Sequence, residues 1–118
     1  MVVDDNADAA ESLAMMLELD GHSVVRAHDA RAAIALARNE RPNVMLLDIG
    51  LPDIDGYELA RRLRALPEVD AARLIAVTGY GQAEDRRRAQ DAGFDDYLVK
   101  PVEFESLRAM LQPDRASA

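Results

Sequence analysis

The chain has 118 residues, of which 49% are hydrophobic and 31% charged; that is the composition of one globular domain and excludes a chain that is disordered as a whole. Acidic residues number 22 against 14 basic ones, and the resulting net charge of -8 repels nucleic acid and anionic lipid, so direct nucleic-acid binding is not expected. The absence of cysteine removes disulfides, thiolate zinc sites and cysteine nucleophiles from consideration.

Short apolar runs alternate with longer amphipathic stretches, punctuated by Gly, Pro and Asp. Met1 to Val3 reads as a first strand. A helix from about Ala7 to Leu19 follows, with Leu13, Met16 and Leu17 on one face, Met15 and Met16 as packing residues and Gly21 as its C-terminal cap. Ser23 to Ala27 reads as the second strand, after which Asp29 caps a helix that turns Ala33, Ile34 and Ala37 inward until Pro42 stops it. Val44 to Leu47 is apolar at every position, the pattern of a central parallel strand buried on both faces. Beyond a loop from Ile49 to Asp55, a helix from Gly56 to about Ala65 places Tyr57, Ala60 and Leu63 inward and Arg61, Arg62 and Arg64 outward.

Leu74 to Val77 reads as the fourth strand. The helix after it, Gln82 to Ala92, has only alanines such as Ala89 and Ala92 to bury, so it is expected to be the least firmly docked, with Arg86 to Arg88 on a solvated face. Tyr97 to Val99 forms the fifth strand, and the last helix, Glu103 to Leu111, is expected to bury Phe104, Leu107 and Leu111. From Gln112 onward the chain reads as disordered, which sets the expected domain at residues 1–112 and the tail at 113–118. This βα alternation predicts an α/β fold: an open, doubly wound, five-stranded parallel sheet with helices on both faces and right-handed crossovers.

In such a sheet, ligands gather at the carboxyl ends of the strands. There the sequence places Asp4 and Asp5 after strand one, Asp48 at the end of strand three, Thr78 at the end of strand four and Lys100 at the end of strand five. Any one of them is explained equally well as a turn residue or helix cap, but together they form a chemical set. Three gathered carboxylates repel one another unless a cation neutralises them, and the number of oxygen donors suits Mg2+ better than a calcium cage. Asp53 and Asp55 in the following loop fit no calcium-loop spacing. A carboxylate beside a divalent cation and an ammonium group suits in-line attack on a phosphoryl group, giving an acyl phosphate. Lys100 is the sole lysine in a chain that otherwise uses arginine for every cation.

These residues, with the central run Leu46-Leu47-Asp48-Ile49-Gly50-Leu51-Pro52-Asp53-Ile54-Asp55-Gly56 and the pair Lys100-Pro101, resemble the receiver domain of two-component response regulators from Met1 to about Leu111. The resemblance implies a flavodoxin-like sheet of strand order 2-1-3-4-5, an order known for the family's chemotaxis member. It also implies that Asp48 is the phosphoacceptor, supplied by a histidine kinase or a histidine phosphotransfer protein. Asp5, Asp48 and the carbonyl of Gly50 would hold Mg2+, with Asp4 acting through a bound water. Thr78 would swing toward the phosphoryl group, Tyr97 would turn from an exposed to a buried rotamer, Lys100 would pair with the phosphoryl oxygens, and the bond from Lys100 to Pro101 would be cis. The readout would be a changed surface over the fourth helix, fifth strand and fifth helix.

Alternative chemistries fit less well. A phosphohydrolase with an aspartyl-phosphate intermediate typically has a second Asp two residues after the nucleophile, where this chain has Gly50. A flavodoxin would need a hydroxyl-rich phosphate loop where Asp4-Asp5-Asn6-Ala7-Asp8 stands. Apolar stretches of at most about six residues fall far short of a membrane span, and no secretory signal is read, so a cytoplasmic location without membrane insertion is expected. The Asp48 loop and the segment Val77-Thr78-Gly79-Tyr80-Gly81 resemble receivers attached to hybrid sensor kinases more than free chemotaxis regulators. The resemblance also implies that Gly50 and Tyr80 stand where side chains influence attack of water on the acyl phosphate. The chain reads either as a single-domain regulator or as a receiver taken from a larger protein, and homodimerisation on phosphorylation is left open.

Overall fold

Parallel neighbours cannot be joined by tight hairpins, so each strand of this chain is followed by a helix that carries it back to the starting edge. The computed structural model describes residues 1–79 and 85–111, with the side chains of Asp85 and Arg86 outside the description. In order they are β1 (Val2–Val3), α1 (Ala7–Leu19), β2 (Arg26–Ala27), α2 (Ala30–Glu40), β3 (Val44–Asp48), α3 (Gly56–Arg64), β4 (Arg73–Thr78), α4 (Asp85–Ala92), β5 (Asp96–Val99) and α5 (Phe104–Leu111). The strands form one sheet in the order β2-β1-β3-β4-β5, every pair parallel, which is the order that the resemblance implied.

Side chains alternate across the sheet, and the apolar strands therefore feed two separate layers. Val3, Met45, Leu47, Leu74 and Ala76 pack beneath α2, α3 and α4, together with Ala33, Ala37, Leu59, Leu63 and Ala89. Val2, Leu46, Ile75, Val77 and Leu98 pack on the opposite face against Ala10, Ala14 and Leu17 of α1 and Leu107 of α5. Each fully buried Leu or Ile contributes roughly 1.5–3 kcal/mol, so these two layers carry most of the stability.

Helix starts follow local chemistry. The side chains of Asn6, Asp29 and Asp55 accept from Ala9 N at 3.1 Å, Ala32 N at 2.7 Å and Glu58 N at 2.9 Å, capping α1, α2 and α3. Gly21, at φ +94°, ends α1 as expected of a glycine in the left-handed region. Gly56 has a different reason: a Cβ there would come within 2.6 Å of Ile49 Cα, so α3 can start directly against the loop after Asp48 only with glycine.

Several expectations are corrected. β2 is confined to Arg26–Ala27 rather than Ser23–Ala27, because residues 23–25 do not extend the ladder, although Val2 N still donates to Val25 O at 2.9 Å. On α1 the buried stripe is Ala10, Ala14 and Leu17; Leu13 and Met16 are half-buried, and Met15 is 54% exposed and is not a packing residue. Only Leu107 of α5 is fully buried, where it joins the layer shared with α1, and Phe104 and Leu111 are half-buried. Arg64 does not point to solvent with Arg61 and Arg62 but is held by three backbone carbonyls and Asp95. Residues 82–84 of the expected fourth helix, Tyr80 and the expected tail at 113–118 lie outside the described residues. Among the described residues, no helix is long and apolar enough to cross a membrane.

Candidate functional site

The strand register sets the site. Asp48 pairs with Val77 and Thr78 with Val99, so the ends of β3, β4 and β5 are level. Asp4 N donates to Ala27 O at 3.0 Å and Lys100 N to Thr78 O at 2.8 Å, continuing the ladder one step past β1 and β5. The chain direction at each strand end therefore aims Asp4, Asp48, Thr78 and Lys100 into one edge.

Asp4, Asp5 and Asp48 each offer a carboxylate oxygen within 4.8 Å of the others, in an environment graded from buried Asp4 through half-buried Asp48 to exposed Asp5. Lys100 Nζ donates to Asp4 Oδ2 and to Asp48 Oδ2, both at 3.2 Å. Partial burial pulls the Lys100 ammonium toward neutrality, but the hydrogen bond to Asp4 and the charges of Asp48 and Asp4 prevail and hold it above its ordinary 10.5. The remaining Asp48 oxygen, Oδ1, accepts from Gly50 N at 3.0 Å, and Asp4 Oδ1 accepts from Asn6 N at 2.9 Å. The peptide between Lys100 and Pro101 is cis.

Thr78 is 1% exposed at the end of β4, and its hydroxyl donates to Tyr97 OH at 3.0 Å and lies 3.3 Å from Gly79 O. Tyr97 itself is half-buried on β5. Behind this pair, α4 buries Ala89 and Ala92 and reaches α3 through Arg88, whose guanidinium lies 4.1 Å from the centre of the Tyr57 ring and 3.9 Å from Asp55. Arg87 and Arg88 are both exposed, as expected of a solvated face, and Arg88 makes its contacts with Tyr57 and Asp55 from there. A cavity of about 580 Å3 lies between α1 and the turn after β5, walled by Leu13, Met16, Val77, Pro101 and Val102 together with Asp4 and Lys100. Its openness explains why Leu13 and Met16 are only half-buried.

Two functional placements escape the local sequence. His28 Nδ1 is 3.1 Å from Asp4 O, and Asp53 accepts from Ala30 N at 3.0 Å and Arg31 N at 3.1 Å, capping α2 from 23 residues away. The backbone bond from Ala30 lowers the Asp53 pKa below its ordinary 3.8, against a smaller cost of desolvation. A cluster of aspartates in one loop was the sole available signal, and it does not say which helix end each one reaches.

The donor set fits a hard divalent ion. Three carboxylate oxygens can converge, Lys100 alone offsets only part of their charge, and oxygen-only ligation with positions left for water and a phosphoryl oxygen is what Mg2+ requires.

Comparisons with known proteins agree with this reading. A family model described as the response regulator receiver domain matches residues 1–112. The chain is 38% identical to Protein PilH of Pseudomonas aeruginosa over 91% of this chain and 88% of that protein. The receiver domain of a Pseudomonas aeruginosa sensor histidine kinase, solved with a magnesium ion coordinated in its active site cleft, superposes with a TM-score of 0.85 at 32% identity, covering 94% of this chain and 91% of that one. A Burkholderia pseudomallei response regulator solved with a phosphorylated aspartic acid, calcium ion and citrate gives a TM-score of 0.85 at 34% identity, over 98% of this chain and 67% of that one.

Proposed function

The chain belongs to the response regulator receiver domain family, and from that premise we propose that Asp48 accepts a phosphoryl group from a phosphohistidine on a histidine kinase or phosphotransfer protein. Receiver domains serve two-component signalling as switch modules and are not classical enzymes. The observation that carries the proposal is the position of Asp48: it ends a buried central strand, lies 3.2 Å from the Lys100 ammonium and shares a 4.8 Å cluster with Asp4 and Asp5.

An Asp48 oxygen attacks phosphorus as the P–N bond to the donor imidazole breaks, and the bonding pair stays on the ring nitrogen. The products are free histidine on the donor and an acyl phosphate on Asp48. Asp4, Asp5, Asp48 and the Gly50 carbonyl would hold Mg2+, which supplies positive charge against the carboxylates and the phosphoryl oxygens. Lys100, already bridging Asp4 and Asp48, exchanges one of these contacts for a phosphoryl oxygen.

The acyl phosphate brings about two negative charges and three strong acceptors to the site. Thr78 turns its hydroxyl from Tyr97 to one of these oxygens, Tyr97 moves into the space released, and the surface of α4, β5 and α5 changes with it. Among the described residues of α4 only Ala89 and Ala92 are buried, and this small apolar area makes that helix the element most easily shifted. The test is intact mass after incubation with Mg2+ and a small-molecule phosphodonor. A gain of one phosphoryl group that is lost in Asp48→Asn is expected; no gain, or a gain that survives the substitution, overturns the proposal.

A further inference from the structure

We propose that Asp53 is a positioning residue for the metal-binding loop: its carboxylate clamps the segment after Asp48 to the N-terminus of α2 and so holds the ligands in place before the ion arrives. The proposal rests on the reading that Asp4, Asp5, Asp48 and Gly50 bind Mg2+.

Asp53 Oδ1 accepts from Ala30 N and Ile54 N, each at 3.0 Å, and Oδ2 accepts from Arg31 N at 3.1 Å. The cap encoded next to α2, Asp29, takes Ala32 N at 2.7 Å through its side chain and Ala33 N at 3.1 Å through its carbonyl. The first turn of α2 is thus satisfied by two aspartates, one local and one from the loop, and the anionic charge of Asp53 faces the positive end of the helix. A serine or asparagine at position 29 would have served α2 alone; recruiting a carboxylate from the loop makes sense as a constraint on the loop.

That constraint closes a circuit through the acidic site. The residue before Asp29 is His28, whose Nδ1 lies 3.1 Å from Asp4 O. Three residues before Asp53 is Gly50, whose amide donates to Asp48 Oδ1 at 3.0 Å, while Leu51 between them is buried. The segments carrying Asp4 and Asp48 leave neighbouring strands, with Val3 opposite Leu47 in the ladder, and past the strand ends they are linked through Lys100 at 3.2 Å to each carboxylate and through the route of His28, α2 and Asp53. The Lys100 link must loosen when a phosphoryl oxygen takes its place. The ladder fixes the strand ends, and the Asp53 link, which has no group that the reaction replaces, fixes the loop carrying Gly50 beside them while Lys100 exchanges partners. Groups just outside the ligands that orient them typically change metal affinity by roughly 10- to 100-fold when removed.

The experiment titrates the full chain with Mg2+ alone, followed by calorimetry and by backbone amide shifts, in the wild type, Asp53→Ala, Asp53→Asn, Asp29→Ala and Asp5→Ala. Asp29→Ala is the matched control, because it removes the other cap of α2 without touching the loop. Expected are a loss of affinity of roughly 10-fold in Asp53→Ala, a smaller loss in Asp53→Asn, which keeps one acceptor oxygen and serves if the alanine variant does not fold, and near wild-type affinity in Asp29→Ala. Wild-type affinity in both Asp53 variants overturns the proposal, as does an equal loss in Asp29→Ala, which would mean that α2 stability alone is being read. A wild-type chain that binds no Mg2+, or an Asp5→Ala variant that binds it as tightly, overturns the metal reading itself and the proposal with it.

Discussion

The hydroxyl of Thr78, at the end of β4, donates to the hydroxyl of Tyr97 on β5 across 3.0 Å, so the residue next to the acidic site and the residue under α4 share one polar contact. Rotation of Thr78 toward the site must break this contact, and any settled position of Tyr97 other than the present one leaves Thr78 with Gly79 O, 3.3 Å away, as its nearest acceptor. Tyr97→Phe is therefore expected to cost no more than about 1 kcal/mol in urea unfolding, since the Thr78 hydroxyl keeps an acceptor. Its effect should appear in signal spread. With Mg2+ and beryllofluoride, amide shifts in the wild type should reach from Asp48 across β5 into α4, whereas in Tyr97→Phe they should stop at β4. Identical spread in the two proteins would show that Tyr97 is a packing residue without a switching role.

Lys100 offers a prediction whose sign depends on pH. Its folded pKa lies above 10.5, so the stability contributed by its charge is fully present below 10.5 and is lost as pH rises through the folded value. Lys100→Met leaves Asp4 and Asp48, with side chains 8% and 13% exposed, facing each other without a cation. In metal-free buffer the variant should melt below the wild type at neutral pH, and the gap should narrow as pH passes 10.5. Saturating Mg2+ should also narrow it at neutral pH, because a second cation then offsets the same carboxylates. A gap independent of both pH and Mg2+ would mean that the loss comes from packing of the lysine stem.

What could be read before folding was what is decided within a few residues. The apolar run of β3, the Asp29 cap and the left-handed Gly21 are local, and the structure places each where its chemistry requires. The convergence of Asp4, Asp5, Asp48, Thr78 and Lys100 was legible for a different reason: parallel strands bring their carboxyl ends to one edge whatever the loops do. Residues whose partners come from distant elements were not legible. Met15 reads as a packing residue from its apolar side chain, yet it is 54% exposed. Asp53 looks like a turn residue until α2 is placed beside its loop. The run Arg61, Arg62 and Arg64 reads as one solvated stripe, but its members part company once α4 and the turn after it are in position.

Arg61 and Arg62 keep side chains 51% and 52% exposed and pair with Glu58 on their own helix, whereas Arg64 is 24% exposed and bridges three segments. Its Nε donates to Gly93 O at 2.9 Å, Nη1 to Ala72 O at 2.5 Å and to Asp70 O at 3.1 Å, and Nη2 to Asp95 at 2.6 Å. Gly93 is matched to it: at φ +108° a Cβ would come within 2.9 Å of Arg64 Cγ, so the turn that ends α4 has room for the guanidinium only as glycine. Removing the arginine strands carbonyls at the start of β4 and at the end of α4. Arg64→Ala is thus expected to cost about 1–3 kcal/mol in urea unfolding at unchanged m. Arg61→Ala should stay within about 0.5 kcal/mol of the wild type. Arg64→Lys should recover little, because one ammonium cannot span acceptors arranged for a planar fork. Hydrogen exchange provides the local check: amides of Gly93 and Phe94 should open faster in Arg64→Ala and not in Arg61→Ala. Equal losses in the two alanine variants would return Arg64 to the solvated stripe and leave α4 held at its far end by Arg88 and Tyr57 instead.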